Sequence, residues 1–173
     1  MKKLLSILCA VLAAIALFSF AGCGNKHNAV LYSYANDWID EDFLNENRVK
    51  GYYVNEDYIE GMSDWDTRYI YDSNSPSERT FIITGEEEFN HIFTKCTVEV
   101  DFSKKMVILY IFSDCYPKTR IYNLEKIKSE NRKLEINYKL ENNKRNDAVM
   151  LYQRCFMVVL DILDITDVEF IDV

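Results

Sequence analysis

The sequence predicts an α+β domain, a mainly antiparallel sheet with one main helix packed on a face. Three observations carry that expectation. "KLEINYKL" alternates apolar and polar residues over Lys133 to Leu140, the period of a half-buried strand. "MVILYIF" (106–112) and "CFMVVLDI" (155–162) are almost unbroken apolar runs of strand length, as expected of strands covered on both faces. One strong helix signal follows Thr84, and strands then succeed one another through short connections, without the regular alternation of strand and helix that marks a doubly wound fold.

Residues 1–22 stand apart from this domain. Lys2 and Lys3 precede an uncharged run from Leu4 to Phe20, which ends in small residues, the order of a secretory signal peptide. The run is shorter than the ~20 apolar residues that cross a bilayer, so a retained span is the weaker alternative. Residues 23–35 form a short tether, and 36–173 a single domain of ordinary size, whose stretch 36–75 is acidic and rich in aromatic residues.

Along the domain, Asn36 or Asp37 opens a short helix that gathers Trp38, Ile39, Phe43 and Leu44 near one face. "GYYV" and "DTRYIYD" are brief strands, the second ended by a turn cluster around Pro76. "RTFIIT" is a strand. Thr84 with Glu87 forms a capping box for a helix reaching Phe93, with Phe89, Ile92 and Phe93 in one stripe. "TVEVDF" alternates as a further strand. "RIYNLEKIK" and "KLEINYKL" make a hairpin turning over Ser129 to Arg132, "ENNKRND" is a polar loop, and "TDVEFIDV" closes the chain as a last strand.

Composition narrows the chemistry. Without Lys2 and Lys3, 18 basic residues face 28 acidic ones, a net charge of −10 that disfavours nucleic acid as a partner. Charge is also segregated: residues 36–66 carry ten acids against Arg48 and Lys50, whereas 118–145 carry nine bases against four acids. Two solvated faces explain this; an electrostatic contact within the chain or with a partner is the sharper alternative. Only His27 and His91 could serve a nucleophile as base, and neither has a local partner in sequence. No metal-ligand spacing is present, since "DSNSPSE" lacks the glycine and the acid of a calcium loop and Asp161, Asp164 and Asp167 sit among Ile and Leu. The isolated glycines Gly24, Gly51, Gly61 and Gly85 form no phosphate loop, so neither metal nor cofactor is expected.

The belt from Tyr32 to Tyr71 holds seven of the twelve tyrosines and both tryptophans. Large faces with a polar handle suit partner recognition, which makes Tyr52, Tyr53, Tyr58, Trp65 and Tyr69 candidate contact residues; the alternative is that they cover the sheet. Cys96, Cys115 and Cys155 are an odd set beside apolar runs. They read as buried thiols, with Cys115–Cys155 the preferred pair if a bridge forms.

Phe20-Ala21-Gly22-Cys23 resembles the lipobox of bacterial lipoproteins, with Phe20 where that family usually carries Leu. The resemblance covers residues 1–23. It implies a diacylglyceryl group on the Cys23 thiol, cleavage before it, and an extracytoplasmic protein held to the membrane by its lipid; cleavage after Ala21 would instead release a soluble chain. Anchoring through two acyl chains is stable where one is marginal. Over residues 79–173, "TFIITGEEEF", "VDFSKKMVILYIF" and "YQRCFMVVLDI" are similar to uncharacterised lipoproteins of Gram-positive bacteria and, more distantly, to the C-terminal domain of accessory subunits from surface protease complexes. These resemblances imply a non-catalytic binding or accessory module with a protein partner at the cell surface. A small secreted hydrolase using carboxylates or Cys-His chemistry is the alternative.

Overall fold

The computed structural model describes residues 28–58, 68–115, 120–141 and 150–173. Cys23, Trp65 and most of the polar loop after Leu140 lie outside them. The described elements run β1 (Ala29–Tyr32), a 3-10 turn (Asn36–Trp38), α1 (Glu41–Glu46), β2 (Gly51–Val54), β3 (Tyr69–Asp72), β4 (Glu78–Ile83), α2 (Glu86–Ile92), β5 (Lys105–Asp114), β6 (Tyr122–Glu130), β7 (Lys133–Leu140), β8 (Tyr152–Asp161) and β9 (Asp167–Asp172). The described chain is thus mostly strand in sheets that are largely antiparallel, with few helices.

The two apolar runs do become the centre of the fold. β5 and β8 pair antiparallel along ten residues each, flanked by β4 and β1, in the order β1-β8-β5-β4. Both faces of this sheet are covered, which is why the runs lack alternation. On one face Val107, Leu109, Ile111, Cys155 and Met157 meet Ile39, Phe89, Ile92 and Phe93 from the helical segments. On the other, Met106, Ile108, Tyr110, Phe112, Phe156, Val158 and Leu160 meet a second sheet of order β6-β7-β9, through Leu134, Ile136 and Tyr138 of β7. Burying one such Leu or Ile side chain contributes roughly 1.5–3 kcal/mol, so this double-sided strand pair dominates the folding energy.

Three local expectations are corrected. The N-terminal helix divides into the 3-10 turn and α1, because Asp40 caps a new start by accepting from the amides of Asp42 (3.1 Å) and Phe43 (3.2 Å). The Thr84–Glu87 capping box does not form. Gly85 is the N-cap of α2 without a side-chain cap bond, and Glu86, Glu87 and Glu88 favour the positive end of the helix dipole instead. "TVEVDF" is not a strand, although Val98, Val100 and Phe102 still pack on the helical-side core. Cys96, Cys115 and Cys155 are free thiols, as the sequence reading has them, with Cys96 and Cys115 half-buried and Cys155 fully buried, its ionisation pushed well up by burial.

The β6–β7 hairpin turns on Asn131 and Arg132, both at positive φ (52° and 64°), the backbone of a tight primed turn. β9 then returns parallel to β7, pairing Leu134 with Val168 and Tyr138 with Asp172. β2 and β3 form a separate hairpin seated on the start of β8, where the Tyr52 amide donates to the Leu151 carbonyl at 2.8 Å. Gly51 permits this approach: a Cβ there would stand 3.1 Å from the same carbonyl oxygen.

Candidate functional site

Following each strand along the face between the two sheets reveals one gradient. The inward residues read Met106, Ile108, Tyr110, Phe112, Asp114 on β5 and Leu160, Val158, Phe156, Arg154 on β8. They read Ile82, Thr80, Glu78 on β4, Leu134, Ile136, Tyr138 on β7 and Val168, Phe170, Asp172 on β9. Aliphatic residues at one end give way to aromatic and then charged ones at the other. Where the files end, the sheets part around a cleft of about 340 Å³, lined by Glu78, Tyr110, Asp114, Cys115, Tyr138 and Asp172 among others.

The floor of the cleft is fixed. Tyr110 stacks on Phe170 (ring centroids 4.0 Å apart) and on Phe112 (4.8 Å), and Tyr138 packs edge-on against Phe156 (5.1 Å). Asp114 and Arg154 form an ion pair at 2.5 Å with side chains only 4% and 3% exposed. The Arg154 guanidinium also donates to the carbonyls of Ser33 (3.0 Å) and Arg120 (3.3 Å) and lies 5.1 Å from the Tyr122 ring centre. The Tyr122 hydroxyl donates to Asp114 Oδ2 at 3.0 Å. The pair therefore has its charges compensated and Nη1 of the guanidinium directed at two backbone carbonyls, the kind of pairing under which a buried ion pair is tolerated.

Electrostatics at the rim are one-sided. The Tyr110 hydroxyl donates to Glu78 Oε2 at 2.5 Å, and burial, reinforced by that bond, raises its pKa far above the ordinary tyrosine value. Burial also raises Tyr122, with the Asp114 charge adding to it, and raises Tyr138, on which Asp172, Asp114 and Glu78 all act. These phenols hold their protons. Asp172 is exposed as a residue, yet partial burial lifts its carboxyl above the ordinary 3.8, opposed by the Val173 amide.

The aromatic belt is only partly brought together. Paired residues of a hairpin share a face, so Tyr52, Val54, Tyr69 and Tyr71 lie on one side of β2–β3, with the Tyr52 and Tyr71 rings 4.9 Å apart. Val54 (63%) and Tyr71 (44%) are exposed there. Tyr53 belongs to the opposite face. Its hydroxyl donates to the Val49 carbonyl (2.5 Å), within reach of Gln153 Oε1 (2.9 Å), and Arg48 sits over its ring, which makes it a structural anchor of the hairpin. Tyr58 joins Tyr69 through the Arg68 guanidinium, 5.9 and 5.6 Å from their ring centres. The hairpin's root borders the cleft: the Ser113 hydroxyl donates to the Lys50 carbonyl, and Ser113 and Leu151 line the cleft wall.

His91 is exposed in the last turn of α2, while Cys115 sits at the cleft. Among the described residues no three metal-binding side chains converge, and no helix is long and apolar enough to cross a membrane. Sequence reasoning passed over Glu78, Tyr110, Asp114, Tyr122, Tyr138 and Asp172. The signal available was the polar residue closing each inward file. No family model matches the chain, and neither does any curated protein or solved structure.

Proposed function

We propose that the chain is an extracytoplasmic binding module, held to the membrane by a lipid on Cys23, that captures a ligand in the cleft between its two sheets. The observation that carries the binding role is the cleft itself, open to solvent yet with its floor locked by the Asp114–Arg154–Tyr122 network. A site organised before the ligand arrives avoids the ordering cost that weakens flexible surfaces. The exposed Tyr52–Tyr71 face of the hairpin offers a surface partner a second place to bind, with Tyr69 beside it. The architecture that supports this is read as α+β, with α2 the principal helix on the sheet through Phe89 and Ile92.

Anchoring is tested by Cys23→Ser in the producing cell. The variant is expected in the medium or as an unprocessed precursor, and a cleaved, still membrane-bound product would refute the lipid assignment. Binding is tested by a ligand screen on the mature chain, in which a genuine ligand raises the melting temperature and Glu78→Gln removes the effect.

A second reading, a small carboxylate-dependent hydrolase, is favoured by Asp172, whose raised pKa suits a general acid in a cleft that a second carboxylate, Glu78, also lines. It requires turnover of a glycoside or peptide substrate that Asp172→Asn abolishes while binding persists.

A further inference from the structure

Resting on the binding reading above, we infer that the cleft takes an organic cation, a primary ammonium or guanidinium group, on a ligand that also presents one hydrogen-bond acceptor.

Glu78 and Asp172 reach the cleft from different sheets, and among the described residues neither has a cationic partner. Asp114 adds no net charge, because Arg154 compensates it. The hydroxyls of Tyr110 and Tyr122 direct their hydrogens to Glu78 and Asp114, so toward a ligand their oxygens can only accept. The lining is therefore rich in acceptors and negatively charged.

Tyr138 is the independent observation. It is only 6% exposed and lines the cleft, and among the described residues its hydroxyl has no hydrogen-bond partner. That hydroxyl still opens to solvent, so its hydrogen is available to a ligand acceptor placed in the cleft. Anionic ligands meet the Glu78 and Asp172 charges, and a purely apolar ligand would strip water from both carboxylates with nothing in return. Among the described residues a metal ion lacks the convergent side chains it needs. An ammonium or guanidinium head fits the carboxylates, while Phe112 and Leu151 in the cleft wall suit its methylene stem.

The same head group occurs on free amines and on Lys or Arg side chains of peptides. Calorimetry and NMR titration of the mature chain would use agmatine, Gly-Arg-Gly amide, the neutral isostere Gly-citrulline-Gly amide, and acetyl-glutamate. Saturable binding of agmatine identifies a small amine as sufficient, and binding of the arginine peptide alone identifies a peptide-borne group; either supports the inference. Relative to the citrulline peptide, the arginine peptide is expected to bind at least about tenfold tighter, with Glu78→Gln and Asp172→Asn each weakening it by about tenfold. Tyr138→Phe should cost several-fold. Glu169→Gln, which removes a like charge from the outward face of β9 where Glu169 pairs with Lys133, should leave binding unchanged. Thermal melts of every variant separate lost contact from lost fold. Equal binding of the arginine and citrulline peptides, or indifference to both carboxylate variants, overturns the inference. If citrulline or acetyl-glutamate occupies the cleft and the cations do not, the cation inference falls and the binding reading stands; if no probe perturbs the cleft, both fall.

Discussion

Removing the Asp114 carboxylate would leave the Arg154 guanidinium buried without its counter-charge. The side chain is 3% exposed and has the carbonyls of Ser33 and Arg120 beside the carboxylate, so Asp114→Ala strips away its charged acceptor and leaves neutral ones. Breaking one partner of such a pair costs about 3–5 kcal/mol, a large share of the 5–15 kcal/mol that stabilises an ordinary domain. With a urea dependence of about 2 kcal/mol per molar, the unfolding midpoint should fall by about 2 M. The double variant Asp114→Leu with Arg154→Met removes both charges while keeping volume in the core. It should return to within about 2 kcal/mol of the parent, the remainder being the two carbonyls left without their donor and the Tyr122 hydroxyl left without its acceptor. Urea melts followed by circular dichroism on the parent, Asp114→Ala, the singles Asp114→Leu and Arg154→Met, and the double variant measure this. A loss below about 1 kcal/mol for Asp114→Ala, or a double variant whose loss equals the sum of the singles, would show that the two charges do not stabilise one another.

Two further outcomes follow from the same cleft and from the hairpin beside it. Tyr110, Tyr122 and Tyr138 have folded pKa values above the ordinary 10.0, so the native state holds protons that the unfolded chain releases; their contribution is intact below about pH 10 and each loses up to about 1.4 kcal/mol per pH unit above it. Phenolate absorbance should therefore rise for these three only together with the loss of circular dichroism, and full titration of every tyrosine in a folded chain would contradict the packing described. Arg132 occupies the left-handed region at φ 64°, and Arg132→Gly should relieve about 1–2 kcal/mol of backbone strain against about 0.5–1 kcal/mol of added chain entropy. The exposed Arg132–Asp164 pair is worth too little to reverse the sign, so a higher melting temperature is expected and a lower one would refute the strain argument.

The strands of this fold are legible in sequence because burial on one face or two leaves a mark in every residue. Lys133 to Leu140 alternates since only Leu134, Ile136 and Tyr138 face the opposing sheet, and Met106 to Phe112 does not alternate since both its faces are covered. The same logic misleads at "TVEVDF". Alternation there reports that Val98, Val100 and Phe102 point at the core, but burial says nothing of whether a neighbouring backbone supplies hydrogen bonds, and the segment pairs with no strand among the described residues. The cap is not decided by residue type alone: Thr84 and Gly85 can both precede a helix, and in the fold Gly85 takes the position.

The cleft depends on something that no single stretch encodes. Each of its carboxylates closes a file whose apolar part is visible in sequence, Glu78 after Ile82 and Thr80, Asp114 after Tyr110 and Phe112, Asp172 after Val168 and Phe170. That the files end at the same place is set by register and strand direction. β9 runs parallel to β7, which brings Asp172 beside Tyr138; an antiparallel return, the default for a hairpin-rich sheet, would carry Asp172 to the aliphatic end near Leu134 and Met106. The segment from Ile162 to Thr166 makes that choice. Ile165 enters the aliphatic core, the Thr166 amide donates to the Arg132 carbonyl at 2.8 Å, and the chain is thereby made to begin β9 alongside the start of β7 rather than its end. The acidic cleft is thus a product of one crossover, and the residues that create it lie at the opposite end of the sheet from those that line it.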